Sequence, residues 1–349
     1  MASKDYDESV ISAALDEVLA STRQRELKHT FDVSSGRYIF ISDIHKGVRD
    51  CADDFRASEK AYNAMLAYYN SLGHTLVILG DAEELWKSHP GPVLKKYRHS
   101  YHLESKYFQD DRYIRIWGNH DITWRNRRNL RKHLQRVLNE GFISIIGKKA
   151  LHVPEACLIE VTDGDSRLGE IFLVHGHQGS VRSDKRLKWS KLIVFIFARP
   201  IQCFFRNSWN PKTPSHDSAL RKDNNKALYS WSKKQDDLIL IAGHTHRPVF
   251  ASESHLARVE RDLKELKPSS EGYVKKKAVL EAEREWAITQ ELQMPDDMTE
   301  EPMEKKCYFN AGCCCYTDGD TTAIEICDGQ IRLVHWPDKQ GNPKPHILQ

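Results

Sequence analysis

The chain alternates short apolar runs with polar clusters, and this pattern predicts a series of buried strands. Each run has four or five residues, and glycine or a polar residue follows it directly or, in one case, after a single alanine. Apolar runs of this length, bounded by glycine and polar groups, are typical of buried strands rather than of helices. The five runs are residues 38–41, 76–79, 113–117, 171–174 and 238–241.

Helices are predicted around these strands. Apolar residues recur at helical spacing in residues 6–28, which indicates an amphipathic N-terminal helix, and residues 55–72 and 126–139 also have helical character. Two late runs, 321–327 and 330–336, flank an Asp-Gly pair and predict a closing β-hairpin. Strands alternating with helices indicate an α/β fold with functional residues at the strand ends.

Two long segments of different charge separate the later strands. Residues 178–236 hold 13 lysines and arginines against 4 acidic residues, a net charge of +9. Residues 251–306 hold 14 acidic against 10 basic residues, a net charge of −4, with a helix-rich run over 256–293. Strand-like segments resume after each, so we interpret both as helical insertions into one domain, residues 37–349. An N-terminal helical extension, residues 1–36, precedes that domain.

The composition is that of a soluble globular protein. Of 349 residues, 40% are hydrophobic and 29% are charged, and the net charge of +3 gives no overall bias toward nucleic acid. No apolar stretch reaches the ~18–20 residues of a membrane span, so a cytoplasmic location is expected. The eight cysteines include no CxxC pair, which leaves a structural zinc site unsupported, and the triplet 313–315 is interpreted as a buried turn or strand end.

The polar clusters that follow the five strands contain a set of metal-binding side chains. Oxygen and nitrogen donors without a thiolate suit Mn, Fe or Zn better than Ca or Mg. One shared carboxylate would let two ions lie ~3.5–4 Å apart, the spacing used for in-line attack at phosphorus. Each motif alone is weak, but five in order, each directly after a strand, indicate one site. The side chains are Asp43, His45, Asp81, Asn119, His120, His175, His244 and His246.

The order of these motifs resembles that of the calcineurin-like metallophosphoesterase superfamily. The resemblance covers about residues 37–249. It implies a four-layer α/β/β/α sandwich with a dinuclear metal site at one edge, here interrupted by the two helical insertions. The matching motifs are Asp43-x-His45, Gly80-Asp81-x-x-Glu84, Gly118-Asn119-His120-Asp121, His175-Gly176 and Gly243-His244-x-His246.

The same resemblance implies a role for each side chain. Asp81 would bridge two divalent metal ions, Mn in the first instance with Fe or Zn as alternatives, and a metal-bridged hydroxide would attack a phosphoester or pyrophosphate bond. His120 would protonate the leaving oxygen, and Glu84 would pair with His120. His177 follows His175 by two residues, so in an extended strand both would face the same side. It either touches the site or the substrate, or it is a supporting or loop histidine. The implied ligands are Asp43, His45 and His246 for the first metal and Asn119, His175 and His244 for the second.

Local sequences resemble one branch, the UDP-2,3-diacylglucosamine pyrophosphatases, at residues 80–86, 175–178 and 243–248. In that branch an insertion between the last two metal motifs covers acyl chains. The corresponding insertion here contains an apolar run flanked by basic residues, 185–206. This segment is expected either to contact a lipid tail or an anionic membrane surface, or to pack on the core with its basic face in water. His120 departs from the best-known bacterial members, which have arginine there.

Several functions are open at this point. The first expectation is a pyrophosphatase or diesterase acting on a phosphorylated small molecule that is nucleotide-linked or lipid-linked. A phosphomonoesterase, including a protein phosphatase, is the second. A nuclease is the third, because the +9 insertion could attract a polyanion, although aromatic residues for base stacking are not arranged distinctively. A metal-free binding scaffold would have lost ligand positions, whereas all seven positions and His120 carry suitable residues.

Overall fold

The computed structural model shows two β-sheets that face each other, with helices on their outer faces. It describes residues 7–25, 29–140, 149–179, 218–291, 305–337 and 345–348. Within these ranges, no helix is both long enough and apolar enough to span a membrane. The expected membrane-contacting segment, 185–206, lies outside the described residues.

The strands are numbered in chain order. They are β1 (His29–Asp32), β2 (Arg37–Ile41), β3 (Thr75–Leu79), β4 (Tyr113–Ile116), β5 (Ala156–Asp163), β6 (Ser166–Val174), β7 (Leu238–Ala242), β8 (Pro248–Phe250), β9 (Glu253–Ser254), β10 (Tyr308–Ala311), β11 (Thr321–Cys327), β12 (Gln330–Trp336) and β13 (His346–Ile347). One sheet has the order β13-β12-β11-β2-β3-β4, and the other has the order β1-β5-β6-β7-β10-β8-β9.

The helices cover the outer faces of the two sheets. Two short 3-10 helices, Asp54–Arg56 and Ile122–Arg125, lie in loops next to the site described below. The α-helices are α1 (Glu8–Arg23), α2 (Glu59–Ser71), α3 (Pro90–Lys96), α4 (Arg98–Gln109), α5 (Arg127–Lys132), α6 (Leu134–Leu138), α7 (Ser218–Lys233), α8 (His255–Glu265) and α9 (Tyr273–Glu291).

Three groups of buried side chains separate the four layers. Residues such as Phe40 and Leu173 fill the space between the sheets. Helices α2 and α4 cover the six-stranded sheet through residues such as Tyr62, and helices α1 and α7 cover the other sheet through Leu15 and Trp231. This arrangement confirms the mixed α/β sandwich that the sequence predicts.

The predicted strands appear as β2, β3, β4, β6 and β7, and the closing hairpin appears as β11 and β12. The charged insertion contains α8 and α9, which are separated around Pro268 because proline cannot continue a helix. The apolar pattern of the sequence does not predict strands β1 and β5. Strand β5 mixes buried and half-buried positions, so it shows no uniform apolar run.

Described parts of the N-terminal extension and of the basic insertion are built into the sandwich. Strand β1 pairs in parallel with β5, with His29 opposite Ile159. Helix α1 packs on α7, where the indole Nε1 of Trp231 donates a hydrogen bond of 2.8 Å to Asp16 Oδ1. Because α7 lies at the end of the basic insertion, that insertion returns directly into the helical layer under the seven-stranded sheet.

Candidate metal centre

The carboxyl ends of strands from both sheets meet at the candidate site. Strands β2, β3 and β4 are parallel neighbours in one sheet, and β6 and β7 are parallel neighbours in the other. The loops that follow them are joined by backbone hydrogen bonds, from His45 N–H to Asp81 O (2.9 Å) and from Gly243 N–H to His175 O (2.9 Å). Parallel strands that end at one edge bring their following side chains together, as the sequence predicts.

The first group of donor atoms belongs to Asp43, His45 and His246. His246 Nε2 lies 3.2 Å from both Asp43 Oδ1 and His45 Nε2. His45 Nε2 lies 3.7 Å from Asp43 Oδ1. Ligands held ~2.0–2.2 Å from one tetrahedral ion are themselves roughly 3.3–3.6 Å apart, so these three atoms have the spacing of a metal site.

The second group belongs to Asn119, His175, His244 and Asp81. His175 Nε2 lies 3.1 Å from Asn119 Oδ1 and 3.1 Å from Asp81 Oδ2. A ring nitrogen of His244 lies within 4.8 Å of donor atoms on Asp81 and His175. Asp81 Oδ2 is also 4.0 Å from His45 Nε2. This one carboxylate oxygen therefore lies between the two groups.

Two donor atoms of the site are buried and have no hydrogen-bond partner among the described residues. They are Asp43 Oδ1 and His244 Nε2, on side chains that are almost completely buried. Buried polar atoms normally form hydrogen bonds, because losing water without replacement costs free energy. Buried oxygen and nitrogen atoms without a hydrogen-bond partner fit a site for cations.

Hydrogen bonds fix the other side of these predicted ligands. Asp43 Oδ2 accepts from the backbone N–H of His244 (2.7 Å), and Asp81 Oδ1 accepts from the backbone N–H of His120 (2.8 Å). His175 Nδ1 donates to Leu79 O (2.9 Å), which leaves Nε2 directed at Asp81 and Asn119. Such outer contacts orient ligands and set the histidine tautomer in metal sites.

Strained backbone marks the same residues. A non-glycine residue with positive φ costs on the order of 1–3 kcal/mol and persists where the surrounding structure enforces it, often at functional sites. Five of the seven predicted ligands have this left-handed conformation. They are Asp43 (φ 52°), His45 (52°), Asp81 (51°), His244 (71°) and His246 (58°).

Burial and the two carboxylates set the charge of the histidines. Burial works against protonation of His175, but Asp81 and Asp43 outweigh it and raise its pKa to about 9. Burial likewise opposes protonation of His246, and Asp43 raises its pKa to about 10. Burial and His175 lower the pKa of His244 to about 3. A bound cation would take over the charge compensation that the protonated histidines give the carboxylates.

His120 lies at the rim of the site with two supporting partners. Its Nδ1 lies 2.9 Å from Glu84 Oε2, and its ring stacks on Trp86 with centroids 4.3 Å apart and planes 11° apart. Burial lowers the pKa of His120, but the carboxylates of Glu84 and Asp81 outweigh this effect, so its pKa lies above the usual value. The predicted proton donor and its predicted partner are therefore in contact.

Asp121 connects the two loops that carry Asp81 and Asn119. Its carboxylate accepts hydrogen bonds from the backbone N–H groups of Gly118 (2.7 Å) and Ala82 (3.0 Å). The buried Arg115 pairs with Asp121 Oδ2 at 3.0 Å and also with Glu83. Because Asp121 joins the ends of β3 and β4, it holds the loops that carry the predicted ligands Asp81 and Asn119.

Sequence reasoning missed two features of the site. Trp86 supports His120 and donates from Nε1 to Asn119 O (2.6 Å). The thiol of Cys315 lies within 4.8 Å of ring nitrogens of His45 and His246. The position of Cys315 shortly after β10 could have indicated this contact. Strand β10 runs parallel to β7, so its carboxyl end lies at the same sheet edge as the candidate site. The interpretation of 313–315 as a buried strand end did not extend to this contact.

The open question for His177 also receives a structural answer. Its side chain is buried beside His175, with ring centroids 5.4 Å apart, and its Nδ1 has no hydrogen-bond partner in the described part of the chain. It also contacts the Trp117 ring at 5.4 Å. His177 is therefore a neighbour of the second donor group.

Replacing Gly118 with alanine is expected to weaken metal binding by about 10–100-fold, the range seen when contacts around metal ligands are lost. A Cβ at this position would lie 2.3 Å from Asp81 Oδ1 and 2.8 Å from His175 Cδ2, so both ligands must move. Titration calorimetry with Mn²⁺, on protein stripped of metal by a chelator, measures the change in affinity. Gly91→Ala is the matched control, because a Cβ there meets nothing within 4 Å. Equal affinities in the two variants would contradict the prediction.

Comparison with known families agrees with this geometry. The family model of the calcineurin-like phosphoesterases matches residues 36–248, a span that includes every motif from Asp43 to His246. No curated protein is a significant match to the chain. The family match covers more than half of the sequence, and members of this family hydrolyse phosphoric esters with divalent metal ions. The chain belongs to the calcineurin-like phosphoesterase family.

Proposed function

We propose that the protein is a dinuclear metal-dependent phosphohydrolase that cleaves a phosphoester or pyrophosphate bond. The observation that carries the proposal is the position of Asp81 Oδ2, 3.1 Å from His175 Nε2 and 4.0 Å from His45 Nε2. Asp43, His45 and His246 would hold one ion, Asn119, His175 and His244 the other, and Asp81 both. When bound, the ions would supply an activated water molecule and neutralise charge on the phosphoryl oxygens.

The donor set suits Mn, with Fe and Zn as alternatives. The Cys315 thiol near His45 and His246 supports the alternatives, because a sulfur donor favours softer ions. Metal analysis of protein purified without added ions shows which of these metals the site holds. A higher ratio of Mn to Zn and Fe in Cys315→Ser than in the wild-type chain would show that the thiol favours the softer ions.

His120 supplies the proton for the leaving oxygen, and Glu84 and Trp86 hold its ring in position. Glu84 holds Nδ1 of His120 at 2.9 Å, so Nε2 is the nitrogen available to a substrate. Stacking on Trp86 limits rotation of the ring. A proton donor held in a fixed orientation with a pKa near the working pH is what general acid catalysis requires.

A nucleotide-linked or lipid-linked diester or pyrophosphate is the proposed substrate class. Support comes from the local sequence resemblance at residues 80–86, 175–178 and 243–248, and from the apolar and basic character of 185–206. In this proposal the metal centre holds the phosphates, and the insertion contacts the lipid or nucleotide part.

A polyanion such as nucleic acid is the second candidate substrate. A groove of about 540 Å³ borders the outer edge of β4 and is lined by basic residues, including Arg25 and Lys149. Arg125, Arg127 and Arg131 also line it, are exposed, and have no side-chain ion pair among the described residues. Arginines that lack protein partners can neutralise phosphates, which makes binding strongly salt-dependent.

A panel of phosphate substrates tests the proposal. Chelated protein is given Mn²⁺, Fe²⁺ or Zn²⁺ and assayed on a monoester, a diester, a nucleoside-diphosphate conjugate and a single-stranded oligonucleotide. We expect metal-dependent turnover, fastest on the diester or conjugate, whereas salt-sensitive cleavage of the oligonucleotide would favour the second candidate. Protein that binds no metal and turns over no phosphoester would instead be a binding scaffold.

A further inference from the structure

A second cluster of metal-binding side chains lies at the opposite end of the six-stranded sheet. His74 directly precedes β3, whereas Asp81 follows the other end of that strand, five residues or roughly 17 Å along it. Glu325 and Cys327 lie at the end of β11, which is antiparallel to β2 and so reaches the same edge as His74. Donor atoms of His74, Glu325 and Cys327 lie within 4.8 Å of one another.

The three side chains share one face of the sheet. Glu325 and Cys327 are two residues apart, so they project from the same side of β11. That side faces the helices, since Ala323 on the same face belongs to the core under α2. The ring of His74 packs against Tyr69 of α2 with centroids 4.8 Å apart. All three side chains are buried and lie on the face of the sheet that carries the helical layer.

The distances and partners leave His74 and Glu325 facing each other. His74 Nε2 lies 3.3 Å from Glu325 Oε1, the separation of two ligands on one tetrahedral ion (roughly 3.3–3.6 Å). The other carboxylate oxygen, Glu325 Oε2, lies 3.5 Å from Arg332 Nη1. Arg332 thus holds one oxygen of Glu325 and leaves the other directed at His74.

His74 shows that a partner is missing from this cluster. Its side chain is only 1% exposed, yet neither ring nitrogen has a hydrogen bond within the described part of the chain. The contact with Glu325 meets the distance for an ion pair but not the geometry of a hydrogen bond. An imidazole buried in this way is costly unless something binds it.

We propose that His74, Glu325 and Cys327 bind a zinc ion outside the catalytic centre. One nitrogen, one oxygen and one sulfur donor suit Zn²⁺, and a water molecule would complete the four ligands. The carboxylate and the thiolate balance the two charges of the ion, and the Cys327 proton is released to solvent on binding. The ion would link β3 to β11 across β2 and stabilise the sheet at the end away from the phosphoesterase site.

Cobalt spectroscopy on the full chain separates this site from the catalytic one. Chelated protein is loaded with Co²⁺, and the near-ultraviolet absorption of cobalt bonded to thiolate is recorded. With Cys315 replaced by serine in every sample, so that the catalytic centre offers no thiolate, we expect Cys327→Ser to lose this band and Cys157→Ser, a buried thiol outside both clusters, to keep it. A band that survives Cys327→Ser, or that is already absent from Cys315→Ser alone, would overturn the proposal.

Zinc stoichiometry gives a second readout. It uses two different site variants, so the test survives if one of them fails to fold. His74→Ala and Cys327→Ser should each bind one zinc ion fewer than the wild-type chain, while Mn²⁺-supported phosphoester hydrolysis is retained. Zinc should raise the Tm of the wild-type chain and of Cys157→Ser more than that of either site variant. Unchanged zinc content in both site variants would mean that His74 and Glu325 form an ordinary buried ion pair.

Discussion

Replacing Asp81 with alanine should abolish metal-dependent phosphoester hydrolysis, with a loss of at least ~10³-fold in kcat. Two functions are lost at once. Its Oδ2 lies between the two donor groups, within 4.0 Å of His45 and 3.1 Å of His175. Its Oδ1 accepts the backbone N–H of His120 at 2.8 Å and so fixes the loop that carries the proton donor. Steady-state turnover together with metal analysis measures both effects.

The control variants separate chemistry from folding. Asp81→Asn keeps the side-chain volume and tolerates the left-handed backbone at this position, φ 51°, better than alanine does. Asp165→Ala removes an exposed acidic side chain and should keep both metal and activity. If Asp81→Asn binds metal and turns over substrate like the wild-type chain, then this carboxylate does not bridge two ions.

The clustering of the strand-end side chains could be anticipated because the rule that places them is local. An apolar run followed at once by Ser42-Asp43 or by Gly80-Asp81 needs only strand direction to put those residues at one edge. The parallel register of β2 with β3 and of β6 with β7 supplies that direction. Thus a pattern confined to a few residues was enough to predict that donors from distant parts of the chain lie together.

Contacts between side chains that are distant in sequence could not be read in the same way. Trp86 stacks on His120 because the loops after β3 and β4 are joined through Asp121, which no local pattern encodes. The cluster of His74 with Cys327 joins the start of one strand to the end of another and has no CxxC spacing. The left-handed backbone of five predicted ligands was equally hidden, since Asp and His adopt a positive φ too seldom for a sequence to predict it.

His120→Ala should lower kcat by about 10²–10⁴-fold on an ester with a poor leaving group, and much less on a p-nitrophenyl ester. A nitrophenolate leaves without a proton, whereas an alkoxide needs one, so the difference reports on proton donation. The position of His120 fits that role, because Glu84 holds its Nδ1 at 2.9 Å and raises its pKa despite burial. Measuring kcat and KM on the two esters at one metal concentration gives the comparison.

The His120→Ala variant also shows whether His120 acts as a proton donor or as a metal ligand. A ring nitrogen of His120 lies within 4.8 Å of donor atoms on His45 and Asp81, so coordination is the competing role. A donor that acts only on the leaving group can be removed without loss of bound metal, whereas a ligand cannot. We therefore expect unchanged metal content in His120→Ala and an intermediate kcat in Glu84→Gln, which keeps a hydrogen-bonding side chain but loses its charge. Equal losses on both esters, accompanied by loss of metal, would make His120 a ligand instead.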